Sequence, residues 1–222
     1  MSRHLQKDIE ALKEKIIEMG EFVEDRVYQA TMSIINRDKA QAQSVINGDT
    51  EIDTIEVSIE EESMKLLALY QPVAVDLRFI IAVMKINNDL ERVGDLAVNI
   101  AERSAFLATQ DPIEFPFDLR AMAEKAEAML TRSIDALVNL DVKEAHRIRS
   151  EDDQVDAYNR EMYARIKDDL LHQPENINAL LHAVSIGRHL ERIADHATNI
   201  AEEVIYLVDA RIVRHKPEVF KE

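Results

Sequence analysis

An eighteen-residue segment, Ile86–Arg103, returns one hundred residues later as Ile186–Glu203 with ten positions identical. Five of the ten are small or apolar (Ile86, Leu90, Ala97, Ile100 and Ala101, with their partners), and packing alone accounts for them. The other five are Glu91, Arg92, Asp95, Asn99 and Glu102, matched by Glu191, Arg192, Asp195, Asn199 and Glu202. A duplicated helix has to repeat its apolar face to fold, but nothing in folding requires it to repeat those acids and that amide. The chain is therefore a tandem repeat that carries a repeated polar site.

The apolar spacing makes the repeating unit helical. Leu5, Ile9, Leu12, Ile16, Met19 and Val23 alternate steps of four and three, and so do Phe79, Val83, Ile86, Leu90, Val93, Ala97, Ile100, Ser104 and Leu107. Ala183, Ile186, Leu190, Ile193, Ala197, Ile200, Val204 and Leu207 keep the same rhythm. Such spacing places one stripe of each helix against antiparallel neighbours. Breaks at Asn36-Arg37-Asp38, Gln71-Pro72, Asn139-Leu140-Asp141 and Gln173-Pro174, plus a proline-containing stretch at 111–117, predict six helices, with Asp38 placed to cap the second. The expected fold class is all-α: two tandem three-helix bundles, the first over residues 1–110, a linker over 111–117, and the second over 118–222 ending in a short tail. One continuous six-helix bundle is the alternative, and the short turns favour the two-bundle arrangement.

Composition narrows the chemistry. With 222 residues the chain can bury a large core, and the lack of cysteine excludes disulfides, thiolate metal sites and thiol nucleophiles. Only four glycines are present, and none forms a phosphate-cradling loop. The charged N-terminus lacks the apolar core of a signal peptide, and no apolar run reaches the ~20 residues of a membrane span, so a cytoplasmic protein is expected. A net charge of −16 argues against nucleic acid and anionic lipid as partners and is compatible with metal cations or a basic protein surface.

The acids have a pattern of their own. Residues four apart share a helix face, so Glu91, Asp95 and Asn99 form a stripe with Glu102 close by, repeated as Glu191, Asp195, Asn199 and Glu202. The preceding helix of each half carries another such pair, Asp49 with Asp53 and Asp152 with Asp156. Like charges at this spacing cost an isolated helix roughly 0.2–0.5 kcal/mol per pair. A divalent or trivalent cation would compensate them, because clustered carboxylate and amide oxygens are hard ligands suited to Mg, Mn, Ca or iron. Asp95 points well away from the apolar seam, so the stripe faces outward or into a surface groove. Buried di-metal bundles instead use Glu-x-x-His, and none of the seven histidines lies three residues after a glutamate. A carboxylate-bridged metalloenzyme is thus disfavoured, and a metal-free scaffold whose acids only solvate it is the other alternative. His196 reads as a surface histidine. His189, standing where the first repeat has Asp89, is a candidate ligand in the second half alone.

The run Leu69-Tyr70-Gln71-Pro72-Val73-Ala74-Val75-Asp76-Leu77-Arg78, followed by Lys85-Ile86 and Asp89-Leu90-Glu91-Arg92-Val93-Gly94-Asp95, resembles the PhoU family of bacterial phosphate-signalling regulators. Glu191-Arg192-Ile193-Ala194-Asp195 with Asn199 fits the same pattern, and the resemblance runs from about Leu12 to Tyr206. It implies two similar three-helix bundles that bind iron or zinc clusters, or magnesium and manganese. The implied ligands are Asp49, Asp53, Glu91 and Asp95 in one half and Asp152, Asp156, Glu191 and Asp195 in the other, with Asn99 and Asn199 as the following amides. It further implies a non-enzymatic negative regulator of phosphate uptake, dimeric in many members, that links the phosphate ABC transporter to its sensor histidine kinase. This chain departs from the pattern at His189 and Ala194, where its own first repeat has Asp89 and Gly94.

Overall fold

The computed structural model describes residues 3–213, apart from the side chains of Arg3 and Asp49. The tail expected to end the second bundle lies, from residue 214 onward, outside the described residues. Helices α1 (Arg3–Ile35), α2 (Lys39–Asn47), α3 (Asp49–Tyr70) and α4 (Ala74–Leu107) form the first half. Helices α5 (Leu119–Asn139), α6 (Val142–His172) and α7 (Ile177–Asp209) form the second, with a short 3-10 turn over Pro174–Asn176.

The turns follow from local chemistry. Asp38 accepts hydrogen bonds from the Ala40 and Gln41 amides, Asp118 from Ala121, and Asp141 from Glu144. Caps of this kind contribute about 1 kcal/mol each. Arg37 and Leu140 occupy the same left-handed conformation at equivalent places, and the amides that follow reach back to Ser33 and Ala136, both at 2.9 Å. The first inter-helix turn of each repeat is therefore the same device.

The sequence predicts six α-helices, but the described residues form seven, because the second helix of the first half breaks at Gly48 into α2 and α3. The guanidinium of Arg26 passes where a Cβ on residue 48 would stand, on its way to the Ser44 carbonyl (3.4 Å) and the Glu51 carboxylate (2.6 Å). In the second half Arg132 of α5 likewise reaches across to Glu144 and Glu151, but no glycine stands in its path and α6 runs unbroken.

The predicted seams are the core. Leu12, Ile16, Met19 and Val23 of α1, Val83 to Ile100 of the α4 seam and Ala183 to Ile200 of the α7 seam are buried. The two bundles share one continuous apolar core, because α4 and α7 pack antiparallel along their length. The antiparallel sense is marked by Phe106 stacked on His182 (ring centroids 4.0 Å apart), Asp89 bonded to His196 (2.8 Å) and Lys85 paired with the buried Glu203 (3.2 Å). Ile113, Phe115 and Phe117 fasten the linker onto this core. Where the halves differ in the core, volume is exchanged between neighbours. Gly94 leaves room for Ile52, whose Cδ1 would lie 3.0 Å from an added Cβ, whereas Ala194 and Val155 hold the equivalent positions in the second half.

Candidate metal centre

Antiparallel pairing of α3 with α4, and of α6 with α7, brings the acid pairs of neighbouring helices together along one groove in each half. In the first groove, burial pushes the Glu91 carboxyl up; Asp95, Glu56 and Asp53 add to this while Arg92 opposes it. Glu56 is raised by burial and then by Glu60 and Asp53. Glu91 Oε2 is buried and accepts no hydrogen bond, although Arg92 Nε lies 3.3 Å away. Arg92 also reaches Asp95 at 3.2 Å.

In the second groove the crowding is greater. Burial, then Asp156, raise Asp152, and a weak bond from Thr198 (3.4 Å) offsets part of this. Burial, Asp156 and Asp152 raise Glu191. Asp195 is exposed on its outer side yet desolvated on the side facing α6. That loss of water, followed by Asp152, Glu191 and Asp156, pushes its carboxyl up to about 6, with His196 opposing. Each groove thus gathers mutually repelling carboxylates that nothing in the fold neutralises fully. Their oxygens fit hard cations.

The structure brings together Asp53, Glu91 and Asp95 in one groove and Asp152, Asp156, Glu191 and Asp195 in the other. The side chain of Asp49 lies outside the described residues. Among the described residues, no three histidine or acidic side chains already converge as a ligand set, so binding a cation requires rotamer changes along the grooves. Asn99 donates to the Asp95 carbonyl (2.7 Å), and Asn199 turns toward α4 and donates to Asp89 (3.2 Å).

The histidines are placed differently from expectation. His196 is no surface residue: it is half-buried on the α4–α7 seam and bonded to Asp89, a contact between residues 107 apart in sequence. His189 lies toward Arg103 of α4, and burial, then Arg103, Arg192 and Arg188, push it down to about 4, leaving it neutral at ordinary pH. Reading the sequence alone missed Glu56 and the Arg149–Glu202 pair (3.2 Å). Glu56 had a signal, since it lies on the same face as Asp53 and Asp49, but it does not complete an acid-x-x-x-Asp pair.

The PhoU domain model matches residues 16–104 and again 119–204, one match for each half. The chain belongs to the PhoU family. It is 38 % identical over 210 residues to a phosphate-specific transport system accessory protein PhoU homolog of Aquifex aeolicus, covering 95 % of each chain. A homolog of the same name in Caulobacter vibrioides is 33 % identical, with 96 % of this chain and 94 % of that protein covered. Among solved structures, PhoU from Pseudomonas aeruginosa superposes with a TM-score of 0.89 at 33 % identity, covering 93 % of this chain and 99 % of that one. The phosphate transport system regulatory protein PhoU from Streptococcus pneumoniae gives 0.84 at 30 % identity, covering 94 % and 99 %. The two PhoU domain matches carry one acid-lined groove each, and no helix among the described residues is long and apolar enough to cross a membrane.

Proposed function

We propose that this chain is a cytoplasmic, non-enzymatic adaptor that represses phosphate uptake and the phosphate-starvation response. It works between the phosphate ABC transporter, through its ATPase and membrane subunits, and the sensor histidine kinase of the phosphate regulon, as a homodimer that meets the membrane only through these partners. The observation that carries this reading is the recurrence of a carboxylate-lined groove at the same place in both PhoU domains, in a chain whose relatives are named accessory and regulatory proteins of phosphate transport.

Glu91, Asp95 and Asp53 would hold cations in the first groove, and Asp152, Asp156, Glu191 and Asp195 in the second. Iron, zinc, magnesium or manganese ions there would neutralise the acids and offer coordination sites to oxygen groups of a partner. The rest is done by the chain. α4 and α7 pack along one shared core, so both grooves are carried on a single helix pair. Its net charge of −16 steers it toward basic surfaces and away from lipid and nucleic acid.

Deleting the gene in its host tests the regulatory role. Phosphate-starvation genes are expected to come on in rich phosphate, and to be silenced again by the wild-type chain supplied in trans. Genes that stay off in the deletion strain would contradict the assignment.

A further inference from the structure

The two grooves differ one helical turn inward from the shared acids. In the first half, Asn87 lies four residues before Glu91 on the same face of α4, and is only 2 % exposed. Its Nδ2 donates to the Glu56 carbonyl at 3.0 Å, which fixes the amide against α3. Its Oδ1 is buried and accepts no hydrogen bond, and neither does Glu91 Oε2. Asn87 Oδ1 has no partner, and one turn on Glu91 Oε2 has only the Arg92 guanidinium at 3.3 Å, with Glu56 contributed by α3. A buried acceptor left without a donor is costly, so such oxygens gathered between α3 and α4 invite an electrophile.

At the same level of the second half, repeat alignment puts Asn159 in the place of Glu56 and Gly187 in the place of Asn87. The fully buried Met162 lies against Gly187, its Sδ where a Cβ on residue 187 would stand. A thioether is a soft donor, poorly suited to the cations that carboxylates attract. Asn159 keeps a buried Oδ1 without a hydrogen bond, but it brings no carboxylate where the first half has Glu56.

The geometry points to an unequal pair of sites: the first groove takes its cations one turn deeper, with Asn87 Oδ1 and the Glu56 carboxylate as added ligands, while Met162 closes that position in the second. This rests on the metal-binding reading above and goes beyond the ligands shared by the two repeats.

Titration of the full-length, chelator-treated protein with Mn2+ tests it, followed by calorimetry and by the Mn2+ electron paramagnetic resonance signal. The background is Asp156→Asn with Asp195→Asn, which isolates the first groove. There, Glu56→Ala with Asn87→Ala is expected to weaken Mn2+ binding by about tenfold or more. In the converse background, Asp53→Asn with Asp95→Asn, Asn159→Ala is expected to leave Mn2+ affinity unchanged. Asn87→Asp, which gives up the donation to the Glu56 carbonyl but adds a charge of the size that fits there, is expected to tighten the first groove, and it decides the matter should the double alanine variant not fold. Wild-type protein that binds no Mn2+ would overturn this inference together with the metal-binding reading. Wild-type binding that neither Asn87 variant alters would overturn this inference alone.

Discussion

The groove of the first half is floored by Glu56 and Asn87, while at the same level the second half has Asn159, Gly187 and Met162. The turns that frame the two grooves nevertheless match, down to the left-handed residue at Arg37 and Leu140 and the capping aspartate that follows it. The same contrast holds between α1 and α5. Repeat-equivalent glutamates, Glu24 and Glu127, both lie on that seam, but Glu127 accepts a hydrogen bond from Thr31 whereas Glu24 faces Asp135 and Glu21. After duplication, what holds the backbone stayed alike because each half needs it to fold. Residues that look across to the other half or into a groove meet different neighbours, and they are free to diverge.

The comparison can be broken first at the core, where the halves should behave alike. Leu90→Ala and Leu190→Ala remove side chains that are 1 % and 0 % exposed, and each is expected to cost about 2–5 kcal/mol in urea unfolding. Both variants should unfold in one transition, since the apolar core is continuous. Separate transitions for the halves would show that α4 and α7 do not couple them.

A smaller effect is expected on the α4–α7 seam, where the halves should differ. Asp89 accepts from both His196 and Asn199, and the positions related to Asp89 and His196 by the repeat, His189 and Leu96, cannot form that pair. Asp89→Ala is expected to cost about 1–3 kcal/mol, and a cycle with His196→Ala should be non-additive. Additive losses would mean that the bond contributes nothing.

The smallest effect is in the pH dependence. Burial, then Asp135 and Glu21, raise Glu24 from 4.5 to about 7. Between those values the folded protein keeps a proton that the unfolded chain has released, so stability falls as pH rises through this window and the loss is complete above about 7. Glu24→Gln should flatten that fall in thermal melts. Glu127→Gln should change it less, because Thr31 already supports the charged form. Equal slopes in all three proteins would refute the distinction between the two glutamates.

Much of the fold was legible because its determinants are local. Proline at 72 and 174, aspartate caps at 38 and 141 and the seven-residue apolar rhythm each act within a turn or two of chain. The break at Gly48 was not legible, since it depends on Arg26 crossing from another helix. The acid pairs of the candidate site could be read because i, i+4 spacing is a property of one helix. Their meeting across helices follows from the antiparallel turns that join α3 to α4 and α6 to α7. Asn87 and Met162 carry no signal in the sequence, because only packing makes one an unpartnered acceptor and the other a plug. His196 was misplaced for the same reason, its partner being on another helix far away in sequence.

If the repeated acids are cation sites, protein purified without added metal retains bound ions that elemental analysis detects. The wild-type protein is expected to carry metal, and Asp95→Ala with Asp195→Ala is expected to lose it while circular dichroism remains that of an intact helical protein. Equal metal content in the two proteins, or metal-free wild type that still binds its partners fully, would leave the acids as no more than a solvated face.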